Sequence, residues 1–409
     1  MRKIMAALDI GNSETKLVVA EQTGGKFNVL SVSNVETKGI KKNTITSEEE
    51  LMNTISTVLK DSETKLNIPI QKLIAMVPTF DIEFTIGEAK IQIDEQISGN
   101  DVSKVILESY KGIIPDNMEL VNAIPMHFKL DNNEVTMDPK GKISSTLSVK
   151  TVLLMSPKNN VYKILSILDK LNIDIVDIGI GALGDYYTFK NQKIDKQIGA
   201  IINIGGNNTT ISIFNKGIIT NISTIELGGK NIDNDIAYVY KVDLETAKKL
   251  KMEFALSSPK YASASDEITI KNKDNKDILI NEQEISKVVY SRIKEILETA
   301  KKEINHLTKK EISYIIITGG VTEMTDFKLV LDEVIENNVT VGVISDLGVR
   351  NNKFSSVIGL IKWYNDMELL KDKDYSIFTI EEQEEFSGMQ KQVVSDNSVI
   401  GKFFDYFMD

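Results

Sequence analysis

The feature that most constrains this chain is a strand–turn–strand pattern that occurs twice. The first copy reads LDIGNSETKLVV and begins at Leu8, and the second reads INIGGNNTTISIF and begins at Ile202. In each copy an apolar run ends in a glycine-containing turn, and two further strand-like runs follow. The repeat predicts two related α/β halves, each built on a hairpin, with the hairpins facing each other across a cleft.

Other segments predict helices, a small additional module and two polar stretches. Ser47 is the expected N-cap of a helix with Leu51, Ile55, Val58 and Leu59 on one face. Between about residues 80 and 155, short alternating strands surround one helix, which predicts an inserted α+β module. Residues 257–281 are expected to form an exposed loop or hairpin, and the acidic stretch 371–397 is typical of a linker.

The composition argues against several classes of function. A formal net charge of −11 leaves no basic excess for broad nucleic-acid binding. The chain has no cysteine, and its two histidines, His127 and His306, exclude a histidine-rich metal site and give little support to a serine–histidine triad. Asp9 interrupts the N-terminal apolar run, and no window reaches the ~20 apolar residues of a membrane span. We therefore expect a cytoplasmic protein that does not bind nucleic acid.

The first repeated turn is suited to binding phosphate. Gly11 lets the backbone turn sharply, so that Asn12 and Ser13 present N–H groups and small polar side chains to one point. Lys16 can reach the same anion. Asp9 suits a hydrated Mg²⁺ ion, which takes few ligands from protein.

Two further turns extend this pattern. The second hairpin repeats it with Gly205, Gly206, Asn207, Asn208 and Thr209. A third turn, IITGGVTEM, follows a buried strand and allows close backbone approach to a base or sugar. One such hairpin is usually only a tight turn, but the three together predict a cleft that clamps a nucleotide.

These stretches resemble the two phosphate motifs and the adenosine motif of the superfamily of actin, sugar kinases and heat-shock chaperone ATPases. Within that superfamily the chain most resembles the family of the bacterial cell-division protein FtsA. The closer resemblance involves residues 124–164, the stretch ELGGKNIDNDIAYVYKVDLETAKKLK, the stretch RNNKFSSVIGLIKWY and a polar linker that ends in an amphipathic helix. It covers nearly the whole chain.

The resemblance implies an α/β actin-like fold, in which two related ribonuclease-H-like halves enclose a nucleotide cleft and an α+β subdomain is inserted. The implied regions are residues 1–80 with 156–195 and 355–370 for the core of the first half, 81–155 for the inserted subdomain typical of FtsA, 196–225 with 311–354 for the core of the second half, 226–310 for its smaller subdomain, 371–395 for a flexible linker, and 396–409 for an amphipathic membrane-targeting helix.

The resemblance also implies a set of residues that bind ATP and Mg²⁺. On the phosphate side these are Asp9, Gly11, Asn12, Ser13 and Lys16 from the first hairpin and Asn203, Gly205, Gly206, Asn207 and Thr209 from the second, with Asp9 holding the metal through water. On the ribose and adenine side they are Gly228, Gly229, Lys251, Gly319, Gly320 and Val321. Lys251 has a simpler interpretation as part of the solvated face of a lysine-rich helix.

Two departures from the family pattern concern hydrolysis. Asn203 occupies the place of an aspartate that usually begins the second phosphate motif. Gly181 stands where an acidic residue usually orients water, with Asp177 and Asp185 as alternative acids. Since base assistance contributes ~10²–10⁴-fold to a rate, we assign no catalytic residue and expect ATP binding with very slow or absent hydrolysis.

The C-terminal stretch NSVIGKFFDYFMD predicts an amphipathic helix. Its apolar stripe consists of Val399, Ile400, Phe403, Phe404, Phe407 and Met408. A helix packed on the core is the general alternative, but the preceding polar linker and the phenylalanine-rich stripe favour a helix at a membrane surface. One such helix binds weakly, so firm attachment requires several side by side, as in a polymer.

The resemblance implies partners as well. These are the C-terminal tail of the tubulin-like protein FtsZ, further copies of the chain in a filament, the inner face of the cell membrane and other division proteins. The smaller subdomain would receive the FtsZ tail, near Lys287, Arg292 and Lys294. Two other functions stay open: a small-molecule kinase of the same superfamily and an actin-like scaffold of the type IV pilus platform. A chaperone is not expected, because no substrate-binding domain follows the predicted core.

Overall fold

A computed structural model describes residues 2–41, 44–335, 338–373, 375–379 and 382–383. The first segment contains β1 (Lys3–Ile10), β2 (Glu14–Thr23), β3 (Lys26–Glu36), β4 (Ile40–Lys41), β5 (Thr44–Ile45), α1 (Glu48–Leu66) and β6 (Lys72–Val77). The next contains β7 (Glu83–Gln92), α2 (Gly99–Glu108), β8 (Met118–Leu130), β9 (Val135–Thr136) and β10 (Thr146–Pro157). The chain then forms α3 (Lys158–Lys170), β11 (Asp174–Ile180) and α4 (Gly181–Phe189).

The second half of the chain continues the alternation of strands and helices. Its first elements are β12 (Ile198–Ile204), β13 (Thr209–Asn215), β14 (Ile218–Ile225), α5 (Gly229–Tyr240) and α6 (Leu244–Glu253). They are followed by β15 (Glu267–Lys271), β16 (Asp277–Asn281), α7 (Glu282–Leu307), β17 (Tyr314–Thr318), α8 (Phe327–Val334), β18 (Val339–Val341) and α9 (Ser355–Leu370).

The sheet of the first half has the strand order β11–β6–β1–β2–β3. The strands β1, β2 and β3 form an antiparallel meander, and β6 and β11 continue from β1 in parallel. Successive side chains of β1 face opposite sides: Ile4, Ala6 and Leu8 pack with α1 and α3, whereas Met5 and Ala7 pack with α4 and α9. Because helices cover both faces, the strand is apolar throughout.

The sheet of the second half repeats this arrangement with the order β14–β13–β12–β17–β18. Again the first three strands are an antiparallel meander, and the last two join in parallel. Ala200, Ile202 and Ile204 face the cluster formed with α5, α7 and α8, while Ile201 faces α4 on the other side. The repeat that the sequence predicts is therefore present as a repeat of strand order, and each meander carries one of the two glycine-containing turns.

A smaller sheet lies between β6 and α3 in the chain. Its order is β7–β10–β8–β9, and α2 packs on it through Val102 and Val105. A capping box of Ser98 and Asp101 starts that helix. This is the α+β arrangement that the alternating pattern predicts, and residues 81–155 remain its predicted boundaries.

The N-terminus of α1 and the polar stretch 257–281 both have the local structure that the sequence predicts. Ser47 caps α1 as predicted, because its side chain accepts a hydrogen bond from the N–H of Glu50. The polar stretch 257–281 contains the antiparallel hairpin β15–β16, also as predicted, but it is not exposed throughout, since Ser257 is fully buried.

The structure corrects the start of the predicted linker at residues 371–395. Asp372 accepts hydrogen bonds from the backbone N–H of Gly99 (3.0 Å) and from Lys140 Nζ (2.7 Å), which ties the end of α9 to the inserted module. The N–H of Ile377 donates to the carbonyl oxygen of Ile4 at 2.8 Å, and the Phe378 side chain is buried among core residues. The chain therefore stays on the first half beyond α9, because an apolar pair in the acidic stretch finds a core site.

The predicted membrane helix, with its apolar stripe from Val399 to Met408, lies outside the described residues. Within the described residues, no helix combines the length and the apolar character needed to cross a bilayer.

Candidate functional site

The two glycine-containing turns meet across a cleft of about 1350 Å³. Most of the residues predicted to bind nucleotide line it: Asp9, Gly11, Asn12, Ser13, Lys16, Asn203, Gly205, Gly206, Asn207, Gly229, Lys251, Gly319, Gly320 and Val321. The two predicted residues that do not line it are Thr209 and Gly228. Residues far apart in the sequence thus come together in one place.

The first hairpin carries its own ion pair. The N–H of Gly11 donates to the carbonyl oxygen of Glu14 at 3.1 Å and closes the turn. Asp9 and Lys16 are cross-strand partners, and Lys16 Nζ donates to Asp9 Oδ2 at 2.8 Å. Burial opposes the charge on Lys16, but the carboxylates of Asp9, Glu14 and Asp185 outweigh burial and raise the pKa of this lysine. Lys16 is therefore a permanent cation in the cleft.

The second hairpin has the same backbone arrangement with different side chains. The N–H of Gly205 donates to the carbonyl oxygen of Asn208 at 3.0 Å, as Gly11 does to Glu14. In the cross-strand register Asn203 is paired with Thr210, so these two residues correspond to Asp9 and Lys16. The second hairpin therefore has no ion pair of its own at this position.

The two turns touch at equivalent positions. Ser13 and Asn207 occupy the same place in their hairpins, and Ser13 Oγ donates to Asn207 Oδ1 at 3.3 Å. A Cβ atom on Gly206 would lie 2.1 Å from Ser13 Oγ and 2.6 Å from Ser13 Cβ, closer than van der Waals contact permits. Glycine at position 206 is therefore what lets the two turns approach.

The prediction that Thr209 faces the phosphates is wrong. Its side chain is fully buried, and its hydroxyl donates to the carbonyl oxygen of Leu227 at 2.8 Å. Thr210 lines the cleft instead, because successive strand residues point to opposite faces. Thr15 is the buried counterpart of Thr209 in the first hairpin, where its hydroxyl contacts that of Thr37.

The predicted nucleoside side is formed by α5, α6 and the turn after β17. A Cβ atom on Gly228 would lie 2.6 Å from the carbonyl oxygen of Gly205, so Gly228 packs beneath the second hairpin and supports it from outside the cleft. Lys251 is not on a solvated face: it is 8% exposed and forms a 2.6 Å ion pair with Asp233. Lys251 Nζ also donates to the carbonyl oxygen of Gly229 at 3.1 Å, which places its charge beside Val321 and Gly229 in the cleft.

A cluster that the sequence did not predict forms the floor of the cleft. Asp185 on α4 is 2% exposed and accepts hydrogen bonds from Ser355, Ser356 and Asn203. Burial raises the pKa of Asp185 to about 6, against the opposing effect of those three donors and of Lys16. Gly181 lines the cleft one helical turn earlier.

The alternative acid Asp177 lies elsewhere. It is on β11, where burial raises its pKa to about 6 and where Lys371 and Glu368 are its charged neighbours. It does not line the cleft. Of the two acids considered as replacements for Gly181, Asp185 is thus the one at the floor.

The first hairpin offers the carboxylate of Asp9 to a metal ion. Among the described residues, no group of three or more histidine, aspartate or glutamate side chains could hold a metal ion. The donor set at the first hairpin suits a hydrated Mg²⁺ ion, which needs only one or two carboxylates from the protein. Asp9 fits that role, although Lys16 shares its carboxylate.

The three cations expected near an FtsZ tail, Lys287, Arg292 and Lys294, differ in how they pair with carboxylates of this chain. Arg292 donates to both carboxylate oxygens of Asp235 and also pairs with Glu295. Lys294 lies 3.8 Å from Glu333, and Lys287 is exposed. Arg292 is therefore already engaged within the smaller subdomain.

Two family models match the chain. The model described as "Cell division protein FtsA" matches residues 200–359, and the model described as "Type IV pilus assembly protein PilM" matches residues 7–264.

Solved structures show the fold: the PilM-PilN type IV pilus biogenesis complex has a TM-score of 0.59 at 13% identity, covering 88% of this chain and 98% of that chain. MreB 5 of Spiroplasma citri bound to AMPPNP has a TM-score of 0.56 at 12% identity, covering 90% and 97%. The predicted actin-like fold class is therefore confirmed.

The curated relatives indicate the family more closely. Cell division protein FtsA of Bacillus subtilis is 29% identical over 370 residues, which covers 88% of this chain and 83% of that protein. Cell division protein FtsA of Enterococcus faecalis is 23% identical over 428 residues, which covers 98% and 97%. The FtsA relatives, which cover most of the chain, and the FtsA model over residues 200–359 together identify the chain as a member of the FtsA family of cell division proteins, with the actin-like fold.

Proposed function

We propose that this protein binds ATP with Mg²⁺, polymerises on the inner face of the cell membrane and tethers FtsZ there through its C-terminal helix. The observation that carries the proposal is the contact of two equivalent hairpins, through Ser13 and Asn207, beside a cleft large enough for a nucleotide. Membership of the FtsA family supports the role in division.

The first hairpin would bind phosphate, and the second would limit the space around it. Lys16 supplies the positive charge, and the N–H groups of Asn12 and Ser13 are suited to phosphate oxygens. Asp9 would hold Mg²⁺ through water, and that ion would neutralise charge on the phosphates. Gly206 keeps the opposite side close enough for a clamp.

The nucleoside would lie between α5, α6 and the turn after β17. Gly320 leaves open space there, since an added Cβ atom would meet only Lys353 Cβ, at 3.7 Å. Lys251, held by Asp233, gives this side a buried cation. MreB 5 of Spiroplasma citri, which shares the fold, has been solved with ADP and with AMPPNP, which supports a nucleotide in the corresponding cleft.

Hydrolysis is expected to be very slow or absent. Among the described residues at the floor of the cleft, Asp185 is the candidate for a general base. Its two carboxylate oxygens already accept three hydrogen bonds. Asn203 carries no charge and cannot accept a proton. ATP would then act as a ligand that favours one conformation and hence the polymer.

Nucleotide binding is tested with two lysines of matched environment. Lys16 pairs with Asp9 at 2.8 Å and Lys362 pairs with Asp346 at 2.7 Å, with both lysine side chains 16% exposed. Lys16→Met should weaken binding of a fluorescent ATP analogue roughly 10- to 100-fold, the effect of losing a hydrogen bond to a charged group worth about 1.5–3 kcal/mol. Lys362→Met should lower stability to a similar degree and leave the affinity unchanged. Equal affinities for both variants would contradict the proposal.

Membrane attachment is tested separately by co-pelleting with liposomes. Full-length protein should pellet, more so with ATP than without, because polymerisation gathers several weak helices. A chain that ends at Ser395 should stay in the supernatant. If both forms pellet alike, the anchor is not the C-terminal helix.

A scaffold for type IV pili is the second candidate. It is favoured by the PilM model, which covers residues 7–264, and by the TM-score of 0.59 to the PilM-PilN complex. Pull-down experiments with an FtsZ tail peptide and with PilN from the same cell separate the two functions. We expect capture of the FtsZ peptide; capture of PilN alone would favour the pilus function.

A further inference from the structure

We propose that Asp185 is a positioning residue for Asn203: it holds the side-chain amide of Asn203 with the oxygen toward the cleft and supplies the negative charge one layer below. The Asp185 carboxylate and, above it at the surface of the cleft, the Asn203 amide would together take the place of the single aspartate that usually begins the second phosphate motif. This inference rests on the proposed binding of nucleotide in this cleft.

The orientation of the Asn203 amide follows from its hydrogen bonds. Asn203 lies near the end of β12 on the same side of the strand as Ile201, which faces α4. Its Nδ2 atom donates to Asp185 Oδ2 at 2.8 Å and to Ser356 Oγ at 3.0 Å. Because a carboxylate only accepts hydrogen bonds, the nitrogen must face Asp185.

The oxygen of the same amide points the other way. A Cβ atom on Gly319 would lie 2.6 Å from Asn203 Oδ1, so this oxygen faces the turn after β17. Both hydrogen bonds that the Asn203 side chain makes to Asp185 and Ser356 use Nδ2, so Oδ1 takes no part in holding the amide. The second hairpin therefore presents a free acceptor to the cleft.

The position of Asp185 is fixed from the opposite side. Its Oδ1 atom accepts from Ser355 Oγ at 2.6 Å and from Ser356 Oγ at 2.8 Å, at the beginning of α9. The helices α4 and α9 approach this closely through two glycines: a Cβ atom on Gly184 would lie 1.8 Å from the Ser356 carbonyl oxygen, and one on Gly359 would lie 1.6 Å from the Gly184 carbonyl oxygen. With both oxygens occupied and the side chain 2% exposed, Asp185 acts through Asn203.

The orientation decides what the second hairpin can bind. An amide with its oxygen outward accepts hydrogen bonds from water, including the water shell of a cation. The reverse orientation would offer Nδ2 to a phosphate oxygen and would favour nucleotide without metal. Asn203→Asp alone would not restore an acidic motif, because it would set two carboxylates about 2.8 Å apart, the present separation of Nδ2 and Oδ2, where both cannot be ionised.

The pairing is tested by exchanging the two residues in the full-length protein without nucleotide. Asn203→Asp should lower Tm by roughly 4–6 °C, the effect expected of an uncompensated buried charge in a chain of this size. Asp185→Asn should cost less, since its amide oxygen can still accept from Asn203. The double variant should recover most of the loss. A double variant whose loss of Tm equals or exceeds the sum of the two single losses would overturn the pairing.

Two further measurements keep the inference testable. If Asn203→Asp does not fold, the double variant should still fold, with a Tm close to that of Asp185→Asn; a double variant that also fails to fold would overturn the pairing. The role of Asp185 in orienting the Asn203 amide toward the cleft is tested by measuring the affinity for ATP with Mg²⁺ and with EDTA. Asp185→Asn should reduce the ratio of these affinities roughly 3- to 10-fold, since one hydrogen bond of the amide is no longer fixed.

The outcomes separate the two levels of the proposal. Wild-type protein that binds no ATP would contradict the proposed function, while the Tm cycle would still decide the pairing. A ratio that is unchanged in Asp185→Asn, with ATP bound by both proteins, would overturn the positioning role alone.

Discussion

The two hairpins have the same backbone hydrogen-bonding arrangement, but their charged side chains come from different parts of the chain. Both turns close through the same hydrogen bond, from Gly11 to Glu14 and from Gly205 to Asn208. The first hairpin contains the pair Asp9–Lys16, whereas Asn203 in the second relies on Asp185 from α4, a helix packed with the first half.

The difference shows that backbone and charge are repeated independently in this chain. The turn is specified locally, so the glycine pattern is enough to produce it twice. The charge of the second hairpin is supplied across the interface between the halves, so that part of the cleft exists only when the halves are packed together. A cleft built in this way is asymmetric: one side attracts phosphate and the other side offers neutral oxygens.

The largest effect is expected where the hairpins touch. Gly206→Val introduces atoms inside contact distance of Ser13 Cβ and forces the turns apart. Overpacking of about 3 kcal/mol corresponds to a loss of roughly 100-fold in ATP affinity. Thr209→Val is the control in the same hairpin, because this side chain is buried and does not line the cleft. Isothermal titration of both variants decides; wild-type affinity in Gly206→Val would mean that the turns do not act together.

The next effect is a pH dependence confined to the floor beneath the second hairpin. Burial raises the pKa of Asp185 to about 6, so the folded state binds its proton more tightly than the unfolded chain does. Its contribution to the free energy of unfolding is complete below about pH 4 and is lost as pH rises through about 6. Asp185→Asn should remove up to about 3 kcal/mol of this dependence, measured by urea unfolding from pH 4 to 7.

The control for this pH dependence lies outside the cleft. Burial also raises the pKa of Asp177 to about 6, on β11. Asp177→Asn should remove a similar component of the unfolding curve without changing ATP affinity. Unfolding curves of Asp185→Asn and wild type with the same pH dependence would show that Asp185 does not titrate in this range.

A smaller effect separates the two threonines of the second hairpin. Thr209→Val removes the hydroxyl that donates to Leu227, so it should cost about 1 kcal/mol of stability and leave ATP affinity unchanged. Thr210→Val should do the reverse, with a 2- to 10-fold weaker affinity and an unchanged Tm. The opposite result would place the strand one residue out of register.

The smallest effect is expected for the direct contact between the turns. Ser13 Oγ and Asn207 Oδ1 are 3.3 Å apart and partly exposed, so their interaction should contribute only about 0.5 kcal/mol. A double-mutant cycle with Ser13→Ala and Asn207→Ala measures this term. A coupling energy near zero would assign the approach of the turns to Gly206 alone.

Sequence reasoning succeeded where the signal is local. Strands, turns and the Ser47 cap depend on neighbouring residues, so the repeat and the first hairpin could be predicted. Thr209 was assigned to the cleft incorrectly because the strand register decides which side chains face it. A shift of one residue moves a side chain to the opposite face of the sheet.

Sequence reasoning failed where a contact joins distant segments. The burial of Lys251 requires Asp233 from another helix, and the position of Asp185 requires Ser355 and Ser356 on α9. The glycines at 184 and 359 are a local signal that a helix packs closely at these positions. Neither stretch indicates which helix is the partner. Similarly, the acidic stretch after α9 gave no sign that Ile377 and Phe378 pack beside β1.

The most direct test of a single cleft shared by both hairpins is hydrogen–deuterium exchange with and without ATP and Mg²⁺. Peptides that contain residues 9–16 and 203–210 should gain protection together, with the same midpoint as ATP is titrated. Protection of one hairpin without the other, or of neither, would contradict the account.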